Sequence, residues 1–539
     1  MSAACSLGLD LGTSSAKAVV TNTDGRLLAQ ASAGYAVTSA RAGWAESEPD
    51  HWWHAVTACA REAVAAAGAG VGSGGTAGFG GTAGAAGAAG ARLAAIGLSG
   101  QMHGLVLASA EGAALRPALL WADSRATGAL RAYRRLRPEA LARLANPLAA
   151  GMTGPLLAWV AENEPGVYAE ARWALQPKDW LRARLTGGFH AEPSDASATL
   201  LYDVIGDRWD LEVVGALGLD AGLLAPLLPS SGALAGRLTA GAAAELGLPA
   251  GLPVAAGAAD TAAAALGSGI GPGDVQLTVG TGAQVVRPLA APAAPAGAAA
   301  PAAPAGRAYA AVPAGRADAG VNLYRSAAPD GWYHMGATVS AGLSLTWVRE
   351  VMNATWAELY ASADHGPGAD DPIFVPHLSG ERTPYCDPAL RGSWTALSLA
   401  DDRASLLRCA LEGTAFAIRD ALDALLGGDA PGPARLRLAG GGTLAAGWRQ
   451  LLADVLGLPL YAVDVPAASA SGRGAALLGA CAAGLLSFDD IYGPLAPPAT
   501  LAAEPDPGGA AIRAERYARF RRVVSALRPR EGCAQEGAA

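Results

Sequence analysis

The stretch Ser6-Leu-Gly-Leu-Asp10-Leu-Gly-Thr-Ser-Ser15-Ala-Lys-Ala-Val-Val-Thr-Asn22 carries most of the fold's reading. Residues 6–11 and 16–22 read as two strands joined by the tight turn Gly12-Thr13-Ser14-Ser15. A third strand, 27–37, follows the Asp24-Gly25 turn and completes a meander. A strand that ends in a carboxylate before a glycine turn sets backbone N–H groups and hydroxyls beside that acid. Such a turn cradles phosphate oxygens, while the carboxylate holds Mg²⁺, usually through water. The same residues also suit an ordinary hairpin with an Asx-type turn. Aspartic proteases place an Asp-[Ser/Thr]-Gly acid inside its turn and repeat the triplet; no second triplet occurs here.

Beyond the meander, strand-like and helix-like stretches alternate, which is an α/β signature. Residues 51–67 read as a helix after Pro49, and 93–99 as a strand. The middle third, about 138–228, has helical periodicity with Trp159, Trp173 and Trp180 as core anchors. A second cycle opens at Pro253. A buried strand covers 253–258, a helix 261–266, and strands 275–279 and 285–287 flank Gly280-Thr281-Gly282. Strand 436–439, the turn Gly440-Gly441-Gly442, helix 445–456 and strand 460–463 follow. Leu9-Asp10-Leu11-Gly12-Thr13 and Thr278-Val279-Gly280-Thr281 echo each other, one in each half. Two facing glycine hairpins suggest a nucleotide held in a cleft between two lobes.

Composition limits the alternatives. The 539 residues include 39 Lys+Arg and 47 Asp+Glu, a net charge of −8, which disfavours nucleic-acid or anionic-membrane partners. With 51% hydrophobic and 16% charged residues the chain is not mainly disordered. The longest uncharged run, 63–91, is Gly and Ala rather than the Leu, Ile and Phe of a membrane span. The N-terminus lacks a signal peptide's basic region, and six well-separated cysteines form no Cys-x-x-Cys. The cytoplasm is the expected compartment. Two low-complexity segments, 68–90 and 288–306, read as surface insertions. Lys17 and Lys178 are the only lysines; every other basic residue is arginine.

Three further motifs carry chemistry. Gly100-Gln101-Met102-His103-Gly104 follows a strand's C-terminal end, where open α/β sheets bind ligands. Gln101 and His103 suit hydroxyls and a carbonyl, although a lone histidine is as often structural. Asp260, between a strand and a small-residue helix, faces a helix N-terminus that keeps it ionised. It is either a base for phosphoryl transfer or a plain N-cap. Gly440-Gly441-Gly442 lets a base and ribose lie against the backbone, and the chain has neither Gly-x-Gly-x-x-Gly nor a P-loop.

The ordered set Asp10-Leu-Gly-Thr-Ser, Gly100-Gln-Met-His-Gly104, Gln176-Pro-Lys-Asp-Trp180, Ser194-Asp-Ala-Ser197, Gly257-Ala-Ala-Asp260, Gly280-Thr-Gly282, Leu378-Ser-Gly-Glu-Arg-Thr-Pro384 and Gly440-Gly-Gly442 resembles the FGGY carbohydrate kinases from about residue 6 to 485. The resemblance implies an actin-like (RNase H-like) α/β fold in two lobes, with ATP and Mg²⁺ in the cleft between them. It implies lobes at 1–252 and 253–500 and a terminal helix and tail at 501–539. Asp260 would be the catalytic base and Asp10 an essential acid near Mg²⁺ and phosphate. Gln101, Met102, His103 and Asp260 would bind the sugar. Gly12, Thr13 and Ser14, Gly280, Thr281 and Gly282, and Gly440, Gly441 and Gly442 would bind ATP. Lys178 would be structural or close to the site. Gln-Met-His-Gly is most similar to the xylulokinase quartet, which implies D-xylulose as acceptor, with ribulose, glycerol or gluconate as rivals. Gly280-Thr-Gly-Ala283, Thr443-Leu-Ala-Ala and Ala396 depart from the family's usual Gly-Thr-Ser-Gly, Ala-Lys-Ser and Gly. A dimer is a common family state. An actin-like ATPase switch without a small-molecule acceptor is the reading from another class.

Overall fold

In the computed structural model, residues 4–68, 92–290, 319–366, 368–427, 432–466 and 469–528 are described. Strands β1 (Ala4–Leu11), β2 (Ser15–Asn22) and β3 (Leu27–Gly34) form the antiparallel meander. β4 (Arg92–Gly100) lies parallel to β1, and β5 (Leu234–Arg237) and β6 (Pro253–Ala255) complete the sheet in the order β3-β2-β1-β4-β6-β5. The short β7 (Ala258–Ala259) also pairs with β4. β1 is buried along almost its whole length because both sheet faces are covered, so it reads as a continuous apolar run rather than an alternation.

The second sheet uses β8 (Gln276–Val279), β9 (Ala283–Leu289), β10 (Val321–Arg325), β11 (Trp332–Thr338), β12 (Leu436–Ala439), β13 (Leu460–Val463) and β14 (Ala499–Ala503). Its order is β10-β11-β9-β8-β12-β13-β14. Without β10, this is the first sheet again: three antiparallel strands, two parallel additions and an antiparallel edge.

Helix α1 (Pro49–Ala66) packs Trp52 and Trp53 on the first sheet, and α2 (Pro177–Thr186) adds Trp180 to that core. α3 (Asp260–Gly267) leaves β7. α4 (Gly342–Val351), α5 (Arg403–Leu426) and α6 (Ala446–Leu456) build the second core. The last two helices are α7 (Ala470–Ala482) and α8 (Ala510–Leu527).

Although α7 follows the second sheet's β13, it lies on β1, β4 and α3 of the first half. Glycines permit this crossing. A Cβ on Gly97 would stand 1.7 Å from Ala475 O, and one on Gly474 would stand 1.9 Å from Ala263 O. Buried Asn146 joins the halves elsewhere, donating to Ser197 O and Leu323 O while accepting from Leu323 N at 3.0 Å.

Three expected boundaries differ from the structure. A division at 252/253 cuts the first sheet, because β6 and β7 hydrogen-bond to β4. The segment expected from 288 begins inside β9, whose Pro288 and Leu289 pair with Tyr333 and Trp332. Residues 501–503 belong to the edge strand β14, and Tyr517, Phe520 and Val524 of α8 enter the second core, so 501–539 is no separate unit. Residues 69–90 and 291–306 of the two expected insertions lie outside the described residues, as does the tail from 529.

Candidate functional site

Asp10 stands one residue from the end of β1, so its side chain leaves the sheet at the cleft. It is 5% exposed. Ser99 of β4, its register partner, donates to one carboxylate oxygen at 3.0 Å, and Ser471 of α7 donates to the other at 2.5 Å. A hydroxyl donating to a carboxylate contributes about 1.5–3 kcal/mol, so the two bonds fix the group's orientation. Lys17, the cross-strand neighbour of Asp10, is partly buried beside it. The turn after β1 closes through Gly12 N to Ser15 O at 3.0 Å. Trp121 Nε1 donates to Thr13 Oγ1 at 2.9 Å and ties that turn to the neighbouring cavity.

Asp260 opens α3. Its carboxylate accepts from Thr261 N and Thr261 Oγ1, the bonds expected of a helix N-terminus. Burial and the negative charge of Asp10 outweigh these bonds and push its pKa up to about 6. Desolvation is thus a larger influence on its ionisation than the helix N-terminus. A carboxylate poised near neutrality suits a group that must both stay ionised and take up a proton. The strand before it is held from below: Ser194 Oγ accepts from Ala259 N at 2.9 Å and donates to Glu192 at 2.7 Å. Fully buried Lys178 lies within 3.4 Å of Asp179, Glu192 and Asp195. That ion cluster is the floor under Asp260.

A cavity of about 330 Å³ is lined by His103, Trp121, Asn322, Tyr324, Glu381 and Arg382 among others, and the charge of Asp260 acts on Tyr324 of that lining. His103 has a left-handed backbone, φ 74°, uncommon outside glycine and worth attention at a binding cleft. Its Nδ1 sits 2.8 Å from Ala198 O. A carbonyl only accepts, so Nδ1 carries the proton and Nε2 is left as an acceptor. Burial, with a further push from Arg382, lowers its pKa to about 4, so the ring is neutral. Gln101 is 1% exposed, and among the described residues neither end of its amide has a hydrogen-bond partner. An unpaired buried amide group costs about 1–3 kcal/mol, which a ligand hydroxyl would relieve. Neither Gln101 nor Met102 lines the cavity, and the Met102 side chain is packed with Ala198, Tyr324 and Tyr333.

The two remaining glycine turns meet in the second half. Gly440, φ 93°, has no room for a side chain, since a Cβ would lie 2.4 Å from Val279 O. Gly282 is equally closed by Thr338 O at 2.3 Å. The N-terminal end of α4 joins them, with Gly342 N donating to Gly280 O and Leu343 N to Thr281 O.

Two repeats of one sheet, a strand-end carboxylate whose charge acts on a second carboxylate, and glycine turns in both halves define a two-lobed α/β phosphotransferase class. The chain belongs to the FGGY family of carbohydrate kinases. The family's N-terminal domain matches residues 5–267, and its C-terminal domain matches 278–483. The xylulose kinase of Streptomyces rubiginosus is 32% identical, over 90% of this chain and 88% of that protein. The xylulose kinase of Bacillus subtilis is 29% identical over 89% and 88%. The crystal structure of a "xyloylose kinase" from Brucella ovis has a TM-score of 0.82 at 32% identity, covering 97% of this chain and 99% of that one.

Sequence reasoning missed Ser99, Ser471, Trp121, Asn322 and Tyr324. Ser471 sits in a Ser/Gly/Ala helix start that carries no chemical signature, 461 residues from the acid it touches. Trp121 and Tyr324 belong to none of the sequence motifs, and only the cavity brings them together.

Proposed function

We propose that the protein transfers the γ-phosphoryl group of ATP to the terminal hydroxyl of D-xylulose, giving D-xylulose 5-phosphate and ADP. The observation that carries the reading is Asp260, with its raised pKa, together with a cavity that holds neutral His103 and is linked to Asp260 through Tyr324. The relatives named xylulose kinase supply the choice of sugar.

Asp260 accepts the proton of the attacking hydroxyl as the new O–P bond forms and the bond from γ-phosphorus to the bridging oxygen breaks. His103 Nε2 and the Gln101 amide hold other hydroxyls and keep the attacking oxygen in line. Gly12, Thr13 and Ser14 receive the phosphates, and Lys17 adds positive charge there. The turns at 280–282 and 440–442 hold the rest of the nucleotide.

Among the described residues no group of three or more His, Cys, Asp or Glu side chains is set to enclose a metal ion. A Mg²⁺ site built from Asp10, water and the nucleotide's own phosphates fits the residues present, because each Asp10 oxygen has a lone pair left after its hydroxyl bond. When bound, Mg²⁺ supplies neutralisation of phosphate charge. No helix among the described residues is long and apolar enough to cross a membrane, and use of ATP agrees with a cytoplasmic location.

The test is ADP release with Mg²⁺-ATP across D-xylulose, L-xylulose, D-ribulose, L-ribulose, glycerol and gluconate. Selective stimulation by D-xylulose is expected. Stimulation by a different compound discards the sugar and keeps the chemistry. Steady ATP hydrolysis with no stimulation favours the switch reading.

A further inference from the structure

The segment Glu381-Arg382-Thr383 has one free member. Glu381 is 3% exposed and turned inward: it accepts from Val339 N at 2.7 Å and Arg382 N at 2.8 Å, and meets His377 Nδ1 at 2.9 Å. Thr383 is 1% exposed and locked to β11, its hydroxyl donating to Gly320 O and accepting from Ala337 N. Between these anchors Arg382 is exposed and lines the cavity that contains His103. Among the described residues no carboxylate or carbonyl engages its guanidinium; its partner is the Trp121 ring, 5.4 Å from centroid to guanidinium carbon. That contact crosses the cleft, because Trp121 belongs to the first half and Arg382 to the second. The same indole donates to Thr13 in the phosphate turn. The guanidinium therefore stands one ring away from that turn, at the border of the cavity.

A cation kept free of its neighbouring carboxylate is set up for an anion. A neutral sugar does not satisfy a guanidinium's charge, whereas a phosphoryl group in transfer spreads negative charge over three oxygens. Asp10 and Asp260 add two negative charges to the cleft, so a further cation beside Lys17 and the metal favours the transferring phosphate. Resting on the phosphotransferase reading above, the geometry points to Arg382 as a cross-lobe catalytic residue that hydrogen-bonds the phosphoryl group as it passes from ATP to the acceptor. Trp121 is its positioning residue, holding the planar guanidinium by its face. At that position the charge of Arg382 acts on both His103 and Tyr324.

The experiment compares the unmodified protein with Arg382→Ala and Arg382→Lys, using the acceptor that the unmodified protein turns over. Arg382→Ala is expected to lower kcat about 100-fold. KM for acceptor and for ATP should stay within about threefold, because the contact strengthens only in the transition state. Affinity for ADP with aluminium fluoride should fall by the same factor as kcat, and added guanidinium chloride should restore part of the Arg382→Ala rate. Arg382→Lys should recover less than a tenth of the lost rate, since a point charge lacks the planar fork. Tm should not change, as the side chain is exposed. A raised acceptor KM with kcat retained would make Arg382 a sugar contact and overturn the proposal. An unchanged kcat overturns it outright. If the unmodified protein phosphorylates no acceptor at all, the phosphotransferase reading falls first and takes this role with it, a result distinct from either variant outcome.

Discussion

The hairpins β1–β2 and β8–β9 are built alike and equipped differently. Each ends in a Gly-Thr turn, each has a parallel strand at its side, and each faces the cleft. Asp10 sits two residues before Gly12; Thr278 sits two residues before Gly280. The register partner of Asp10 is Ser99, which donates to it; the register partner of Thr278 is Ala439, which cannot. The next residues are Gly100-Gln101 at the end of β4 and Gly440-Gly441 after β12. One copy thus holds a fixed charge beside a polar amide. The other holds a neutral hydroxyl, shared with Gln276 Nε2 at 3.3 Å, beside bare backbone. The lesson is that a Gly-Thr turn at a strand end belongs to the fold, whereas the chemistry available at that turn depends on one side chain and its neighbour.

The sharpest way to break the comparison is to exchange the distinguishing residues. Asp10→Thr is expected to lower kcat 100- to 1,000-fold, on the scale of losing a preorganised electrostatic contact. Thr278→Asp, in the unmodified background or with Asp10→Thr, should restore nothing and should weaken ATP binding by placing a carboxylate against phosphate. Recovery of turnover by the double variant, read as ADP release, would show the two hairpins to be interchangeable.

Ser471→Ala removes one of the two hydroxyls that orient Asp10 and should cost about tenfold in kcat, from a charged hydrogen bond of about 1.5–3 kcal/mol. Protein stability should barely move. An effect on Tm without one on kcat would reduce Ser471 to a helix contact.

The smallest expected change is a shift in pH dependence. Below its pKa of about 6, Asp260 is protonated and cannot accept the sugar's proton. kcat/KM should then fall tenfold for each pH unit on the acid side. Asp10 contributes to raising that pKa, so the residual activity of Asp10→Thr should keep its acid limb but at lower pH. An unmoved limb would mean that the two carboxylates do not sense each other.

Local patterning made much of this architecture readable. The β1–β2–β3 meander, each Gly-Thr turn of the echo, Asp260 at a strand–helix junction and the α/β alternation are all written in short runs of sequence. The boundary near 252 was misplaced because Pro253 opens a new apolar run that looks like a new lobe. Only pairing of β6 and β7 with β4 assigns that run to the first sheet. Pro288 similarly resembled the start of an Ala/Pro segment, although cross-strand pairing carries β9 past it. Ser471, Trp121 and Arg382 gain their meaning from contacts made across the halves, which no local pattern encodes. Met102 was legible as part of a motif, but its side chain serves the core.

The most direct test is Asp260→Asn, assayed for acceptor-stimulated ADP release and, separately, for ATP affinity. Turnover should fall about 1,000-fold with ATP affinity retained. Tm should rise by a few degrees, because the substitution removes a carboxylate whose ionised form is penalised by burial. Near-normal turnover in Asp260→Asn would contradict the assignment of the base, and with it the mechanism built on this cleft.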